Sequence, residues 1–353
     1  AEREGLRPKG NVPNLRFPEF QGEWEEYRIE DITENISSGR CKSHSSSGKY
    51  NLYGSTGIIG KTNEACYEGN LVLVARVGAN AGSLQILNEP CGITDNTLII
   101  KPKEVDAQYI YYFLQHFNLN RLIFGSGQPL ITGGMLKKVK VSLGTIQEQN
   151  KITRLLSLLD ERIATQSKVI DKLQSLIRGI AHKISKQGKP NIRLSECLEC
   201  SSTTLQESDV AEVGAYPVYG ANGIVGYLDT YSTTKEAIYI IKDGSGVGSV
   251  SYVKGKCSAT GTLNILEAKE GYSLRYLYFM LKVFNFEPYK TGMAIPHIYF
   301  KDYRKAKIYC PNYELQNKCA NLLYEIEQKA TIEQKILDNL CSQKQYLLRQ
   351  MFI

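Results

Sequence analysis

Tyr50-Asn-Leu-Tyr-Gly-Ser-Thr-Gly-Ile-Ile-Gly60 returns 166 residues later as Tyr216-Pro-Val-Tyr-Gly-Ala-Asn-Gly-Ile-Val-Gly226. The same offset lays Val74-Ala-Arg-Val-Gly-Ala-Asn-Ala-Gly-Ser-Leu84 on Ile240-Ile-Lys-Asp-Gly-Ser-Gly-Val-Gly-Ser-Val250. It also lays Cys91 on Cys257, Thr94 on Thr260 and Tyr112-Phe113 on Tyr278-Phe279. With one residue added, Gln149-Asn150-Lys151 falls on Gln316-Asn317-Lys318. Matches in one order at a nearly constant offset define a tandem duplication, and everything else in the chain is read against it.

Each copy has the same internal order. Apolar runs such as Leu71–Val74 and Thr97–Ile100, bounded by Gly and Asn turns, read as strands. Helical stretches follow at Ala107–Phe117 and Ser273–Val283, and each copy then closes with a long helix. In the first, Ile152, Leu156, Leu159, Ile163, Ile170, Leu173, Ile177, Ile180 and Ile184 recur at alternating spacings of mostly four and three. Only Gln166 interrupts them. In the second the series is Cys319, Leu323, Ile326, Ala330, Glu333, Leu337, Leu340, Lys344, Leu347 and Met351. A 3.5-residue period held this long is that of a coiled-coil seam. A helix over Gln147–Ser185 would be about 55–60 Å long, more than one small domain can cover, so the two long helices are expected to pair.

The expected architecture is α+β: two tandem homologous mixed α/β domains, separated by a pair of long antiparallel coiled-coil helices with pseudo-twofold symmetry. The boundaries are 1–146 for the first domain, 147–186 for its helix, 187–311 for the second domain and 312–353 for its helix. Under that symmetry Gln166 and Glu333 meet as one polar layer in an apolar seam, a device that fixes register at some cost in stability. The competing arrangement has each helix packed on its own domain.

Composition narrows the function. The 353 residues carry 43 Lys and Arg against 36 Asp and Glu, a formal charge of +7. That excess permits a polyanionic partner without demonstrating one. It is spread over both halves: 24 basic and 19 acidic side chains in residues 1–186, 19 and 17 in the remainder. No stretch approaches ~18 consecutive apolar residues, so no membrane helix is expected, and the charged N-terminal segment has no signal-like apolar region. Nine cysteines and four histidines offer one Cys-x-x-Cys, Cys197 and Cys200, with no second pair at zinc spacing. Free thiols in a reducing cytoplasm and no bound metal are the expectation.

Catalytic signatures are thin. Ser55-Thr-Gly-Ile-Ile-Gly60-Lys61-Thr62 has the tail of a phosphate loop, but its first Gly is misplaced and the second copy has Gly226-Tyr227-Leu228 where Gly-Lys-Thr would stand. The pairs Gly78/Gly82 and Gly244/Gly248 read as tight turns between strands. No Gly-x-Ser-x-Gly elbow, methyltransferase tetrad or nuclease motif is present. The chain reads as a binding protein.

The polar and basic residues of the Gly-rich loops suit base edges and phosphates. In the first copy they are Arg40, Lys42, Lys49, Lys61, Arg76, Asn80, Gln128 and Thr132. In the second they are Asn222, Lys235, Lys242, Ser245, Lys254, Lys290, His297 and Tyr299. Two related but diverged readers suit two half-sites on duplex DNA. Because the loops differ (Ser55-Thr56 against Ala221-Asn222, Val77 against Asp243), the half-sites should differ too, giving a bipartite, asymmetric target.

The order Pro13-Asn-Leu-Arg-Phe-Pro-Glu-Phe20, Trp24, the two Tyr-x-x-Tyr-Gly loops, Gly125-Ser-Gly-Gln128 and Gln147-Glu-Gln149 ahead of a long helix resembles the specificity subunits of type I restriction-modification systems, over essentially the whole chain. The resemblance implies two target recognition domains on an antiparallel helical spacer, no catalysis by the chain itself, and double-stranded DNA as ligand. It also implies a host-defence complex of the bacterial cytoplasm, with two methyltransferase (modification) subunits and with restriction subunits that translocate DNA. Adenine methylation through S-adenosylmethionine, and ATP and Mg use, would belong to those partners, with no cofactor held by this chain. The second copy departs from the pattern in having Gly292-Met-Ala-Ile-Pro where the first has Gly-Gln-Pro. A stand-alone duplex-binding protein without a methyltransferase partner is the alternative, and a nucleotide hydrolase built on Gly60-Lys61-Thr62 the third reading.

Overall fold

The computed structural model describes residues 10–41, 47–123, 129–244, 246–292 and 295–353. The chain divides into two units, residues 1–165 with 336–353, and residues 166–335. The long helices are Ile146–Ser185 and Tyr313–Met351. Each unit thus holds one copy's sheets together with part of both long helices, a division the domain boundaries read from the sequence do not make.

In the first unit a four-stranded antiparallel sheet has the order Thr33–Ser38, Thr97–Pro102, Leu71–Ala75, Leu84–Leu87. Its central strand Leu71–Ala75 is buried on both faces. Alternation does the sorting. Val72, Val74, Leu98 and Ile100 face helix Ala107–Phe117. Leu71, Leu73 and Ile99 face Tyr53, Cys91 and Ile93 of a three-stranded sheet. That smaller sheet pairs Gly57–Thr62 antiparallel, and Cys91–Ile93 parallel, to the central Tyr50–Gly54.

The second unit repeats the plan. Leu198–Ser201, Leu263–Ala268, Ala237–Ile241 and Val250–Val253 form the larger sheet; Gly223–Leu228, Tyr216–Gly220 and Ser258–Ala259 form the smaller. Ile238, Ile240 and Leu266 pack toward helix Leu274–Lys282, and Ala237, Tyr239 and Leu263 toward the small sheet.

The long helices run antiparallel inside each unit. In the first, Ile152 and Leu156 share a core with Leu348, Met351 and Phe352, and Lys344 pairs with Asp160. In the second, Ile177, Ala181 and Ile184 share a core with Ala320 and Leu323. These cores also contain Tyr109 and Phe113, or Tyr276 and Phe279, of the short helices. Helix pairing and packing on the domain therefore coexist, because the wide apolar stripe serves both. Gln166 Nε2 donates to Glu333 Oε2 at 2.5 Å and to the Glu333 carbonyl at 3.0 Å, a polar layer between apolar neighbours.

Helix entry is duplicated as well. Gln149 Nε2 donates to the Gly144 carbonyl and Gln316 Nε2 to the Pro311 carbonyl, so each glutamine ties the first turn to the preceding loop. The first unit adds a buried anchor. Arg16 makes a bidentate contact with Glu148 (2.7 and 2.9 Å), and Trp24 Nε1 donates to the same carboxylate at 3.1 Å.

Candidate nucleic-acid interface

Strand Leu71–Ala75 runs into Arg76, whose N–H donates to the Asn96 carbonyl at 2.9 Å while its own carbonyl accepts from Ile131 N at 2.9 Å. Gly78 N then donates to the Pro129 carbonyl at 3.1 Å, and Gly82 N returns to Ala75 at 2.9 Å, closing a tight turn. Gly78 and Gly82 have φ of +80° and +88°, a region L side chains rarely enter. Segment 129–132 is stitched alongside, and Thr132 caps helix Gly133–Lys137 by accepting from Met135 N. Asn80 sits exposed at the turn. Arg40 joins the same end, held between Gly39 N donating to Thr97 and Cys41 N donating to Ile93.

The second unit builds this end with the same bonds and different side chains. Lys242 N donates to Thr262, Ile298 N donates to the Lys242 carbonyl at 2.8 Å, and Gly244 N donates to Pro296 at 3.0 Å. Gly244 and Gly248 have φ of +93° and +89°. Asp243 bridges to His297, as Val77 does to Leu130. The His297 ring lies 5.3 Å from that of Tyr299, tilted by 56°, and Lys301 Nζ sits 5.2 Å over the Tyr299 ring. Lys290, paired with Glu287 at 2.6 Å, precedes the Thr291–His297 bridge. Asn222 is exposed in the turn between Gly220 and Gly223.

The hairpin tips belong to this end too. Thr94 N donates to the Tyr53 carbonyl and Thr260 N to the Tyr219 carbonyl, so each tip sits beside the turn that carries Asn96 or Thr262. Arg40, Arg76, Asn80 and Thr132 in one unit, and Asn222, Lys242, Lys290, His297 and Tyr299 in the other, are gathered by sheet topology. Lys49 and Lys61 lie at the opposite end of their hairpin, where Asn51 pairs with Lys61. Lys235 and Lys254 flank the far end of the larger sheet, where Ala237 pairs with Val253, and Lys235 is bound to Glu267 at 2.9 Å. Lys42, Gln128 and Ser245 lie outside the described residues. Asn96, exposed beside Arg76, lies at this end as well, and the repeat of Thr94 at Thr260 is the sequence signal that points to it.

Cations and hydrogen-bonding side chains of both kinds meet at this end, with Lys290 paired to Glu287 and Asp243 beside His297. Arg76 Nε is buried and meets no acceptor among the described residues. Gly60-Lys61-Thr62 lies within strand Gly57–Thr62 and opens no helix, which removes the phosphate-loop reading. Burial pushes the thiols of Cys91 to about 11 and Cys197 to about 12, holding them protonated and unreactive at neutral pH. Among the described residues no group of three or more His, Cys, Asp or Glu is placed to hold a metal ion.

The family model for the type I restriction modification DNA specificity domain matches twice, over residues 21–175 and 190–341. The chain belongs to that family. A putative type I specificity subunit of Mycoplasma genitalium is 25% identical over 335 residues, covering 86% of this chain and 87% of that protein. One from Mycoplasma pneumoniae is 24% identical, covering 86% and 89%. The fold matches the crystal structure of a type I restriction-modification S subunit from M. genitalium with a TM-score of 0.71 at 20% identity, over 97% of this chain and 99% of that one. No helix among the described residues is long and apolar enough to cross a membrane.

Proposed function

We propose that the chain is the DNA-reading and scaffolding subunit of a bacterial type I restriction-modification complex, with each unit reading one half of a bipartite, asymmetric duplex target. One observation carries the reading. The same backbone construction gathers loops at one end of each copy, yet arms it differently: Arg76, Val77 and Leu130 in the first, Lys242, Asp243 and His297 in the second. A shared frame with divergent tips is what two different half-sites require.

The chain supplies no catalytic group of its own. Methyl transfer with S-adenosylmethionine, and translocation and cleavage with ATP and Mg, fall to partner subunits. Duplicated exposed apolar positions on the long helices support two copies of one partner: Ile146 with Tyr313, and Leu155 with Leu322. Co-expression with a methyltransferase subunit tests this. A complex with two methyltransferase chains per copy of this chain, methylating adenines on DNA, is the expected product. A chain that binds duplex DNA alone and recruits no methyltransferase would establish the stand-alone alternative.

A further inference from the structure

The repeated Gly-aliphatic-aliphatic-Gly stretch of the two hairpins has a feature the fold itself does not need. Pairing in the first hairpin steps from Leu52 opposite Gly60 to Tyr53 opposite Ile58, which leaves Ile59 as an extra residue. In the second it steps from Val218 opposite Gly226 to Tyr219 opposite Ile224, leaving Val225 extra. A bulge re-aims the side chains around it. Ile58 is 58% exposed and Ile224 51% exposed.

The neighbours in this stretch have structural reasons to be what they are. Gly57 and Gly223 adopt φ of +110° and +94°. A Cβ on Gly226 would come within 2.5 Å of Val210 Cγ2. The bulged residues lie back over the hairpin's own glycines, with Ile59 Cγ2 3.0 Å from a Cβ built on Gly54 and Val225 Cγ1 2.7 Å from one on Gly220. The first tip is fastened further by Gln85 Nε2 donating to the Gly54 carbonyl at 3.0 Å. Ile59 is 41% exposed as well, but its counterpart Val225 is half-buried, so Ile58 and Ile224 are the equivalent pair that both copies hold out into water, although the turn beside them differs, Ser-Thr in one and Ala-Asn in the other.

Single exposed aliphatics need no explanation, but two equivalent ones, each on a bulge and each beside the Arg76 or Lys242 turn, do. We infer that Ile58 and Ile224 are apolar base-reading residues, each resting against thymine C5-methyl groups in one half of the target while the neighbouring cations hold the backbone. This inference rests on the proposed function and adds the chemistry by which each tip reads.

The test uses the whole chain in complex with its methyltransferase subunits, selecting bound sequences from a duplex pool with randomised bases. Ile58→Ser is expected to lower the preference for thymine at one or two positions of one half-site about tenfold and to leave the other half-site unchanged. Ile224→Ser should do the reverse. Replacing those thymines by uracil, which lacks the methyl, should weaken the unsubstituted complex to the same degree and the matching serine variant no further. Thermal melting of both variants should match the parent, since the side chains are exposed. A parent complex that selects no sequence would sink the proposed function itself. A parent that selects a target which both variants read unchanged would overturn the inference alone, as would variants that keep the sequence preference but lose the methyltransferase subunits.

Discussion

The two copies solve one packing problem with lysines from different places. In the first unit Tyr112 donates to Asp160 at 2.9 Å, and the cation beside them is Lys344 of the second long helix, 2.6 Å from that carboxylate and 5.4 Å from the Tyr112 ring centroid. In the second unit Tyr278 donates to Glu327 at 2.7 Å, but the cation is Lys282 of the short helix, 2.8 Å from the carboxylate. The position equivalent to Lys282 is His116, and the position equivalent to Lys344 is Ile177, a buried seam residue. The tyrosine–carboxylate–lysine cluster at the junction of short and long helices has been kept, while the element that supplies the lysine has changed. An apparent flaw in the second apolar seam is thus the other half of a substitution made elsewhere.

The helix entries differ more sharply, and breaking them should have the largest effect. Glu148, fully buried between Arg16 and Trp24, has Leu315 as its counterpart, which is 39% exposed. Glu148→Ala should cost about 2–3 kcal/mol by leaving the buried Trp24 Nε1 without an acceptor and Arg16 with only the Gln21 and Gly22 carbonyls. Leu315→Ala should change stability by less than about 1 kcal/mol. Denaturant titration of both variants would show the asymmetry, and equal losses would refute the anchor's role.

The lysine swap predicts a rescue. Lys344→Ile should cost about 2 kcal/mol by leaving Asp160 without its cation, and adding His116→Lys should recover at least half of that by reproducing the arrangement of the second unit. A double-mutant cycle with no coupling would contradict it. At the polar layer, Gln166→Leu with Glu333→Leu should raise the melting temperature by roughly 2–4 °C, since paired apolar residues of similar volume usually replace such a layer at no loss, while loosening the specificity of helix pairing. A clear fall would show that the layer stabilises as well as specifies.

The smallest effect concerns pH. His116 is half-buried and stacked 5.9 Å from Phe352, and burial lowers its pKa below the ordinary value of 6.5. The unfolded chain then binds the proton more readily than the folded one. Stability from this site is present above about 6.5 and falls as pH drops below it. Melting curves at pH 7.5 and 5.5 should show His116→Gln with the shallower loss; an identical slope would remove the histidine from the account.

Much of the fold was legible because duplication and period are properties of sequence order. The 166-residue repeat, the strand runs around Leu71 and Thr97, and the heptad-like series from Ile152 to Ile184 all correspond to observed elements. The candidate interface was legible only in part. Which lysines share an end depends on strand pairing: Arg40 joins Arg76 because Thr33–Ser38 pairs with Thr97–Pro102, whereas Lys61 is carried away by the antiparallel hairpin. Local residue type carries no trace of either. Ile58 and Ile224 are hidden in the sequence for a different reason: exposed and buried aliphatics look alike in one strand, and a bulge is a two-strand feature with no one-strand signature.

The central claim, that one domain used twice reads two different half-sites, is tested most directly by exchanging residues 30–145 for those of another family member. Methylated adenines would then be mapped in DNA exposed to the parent and exchanged complexes. Two unlike half-sites separated by a fixed unread spacer are predicted for the parent, with one half replaced and the other retained after the exchange. A contiguous or symmetric target, or a change in both halves at once, would contradict it.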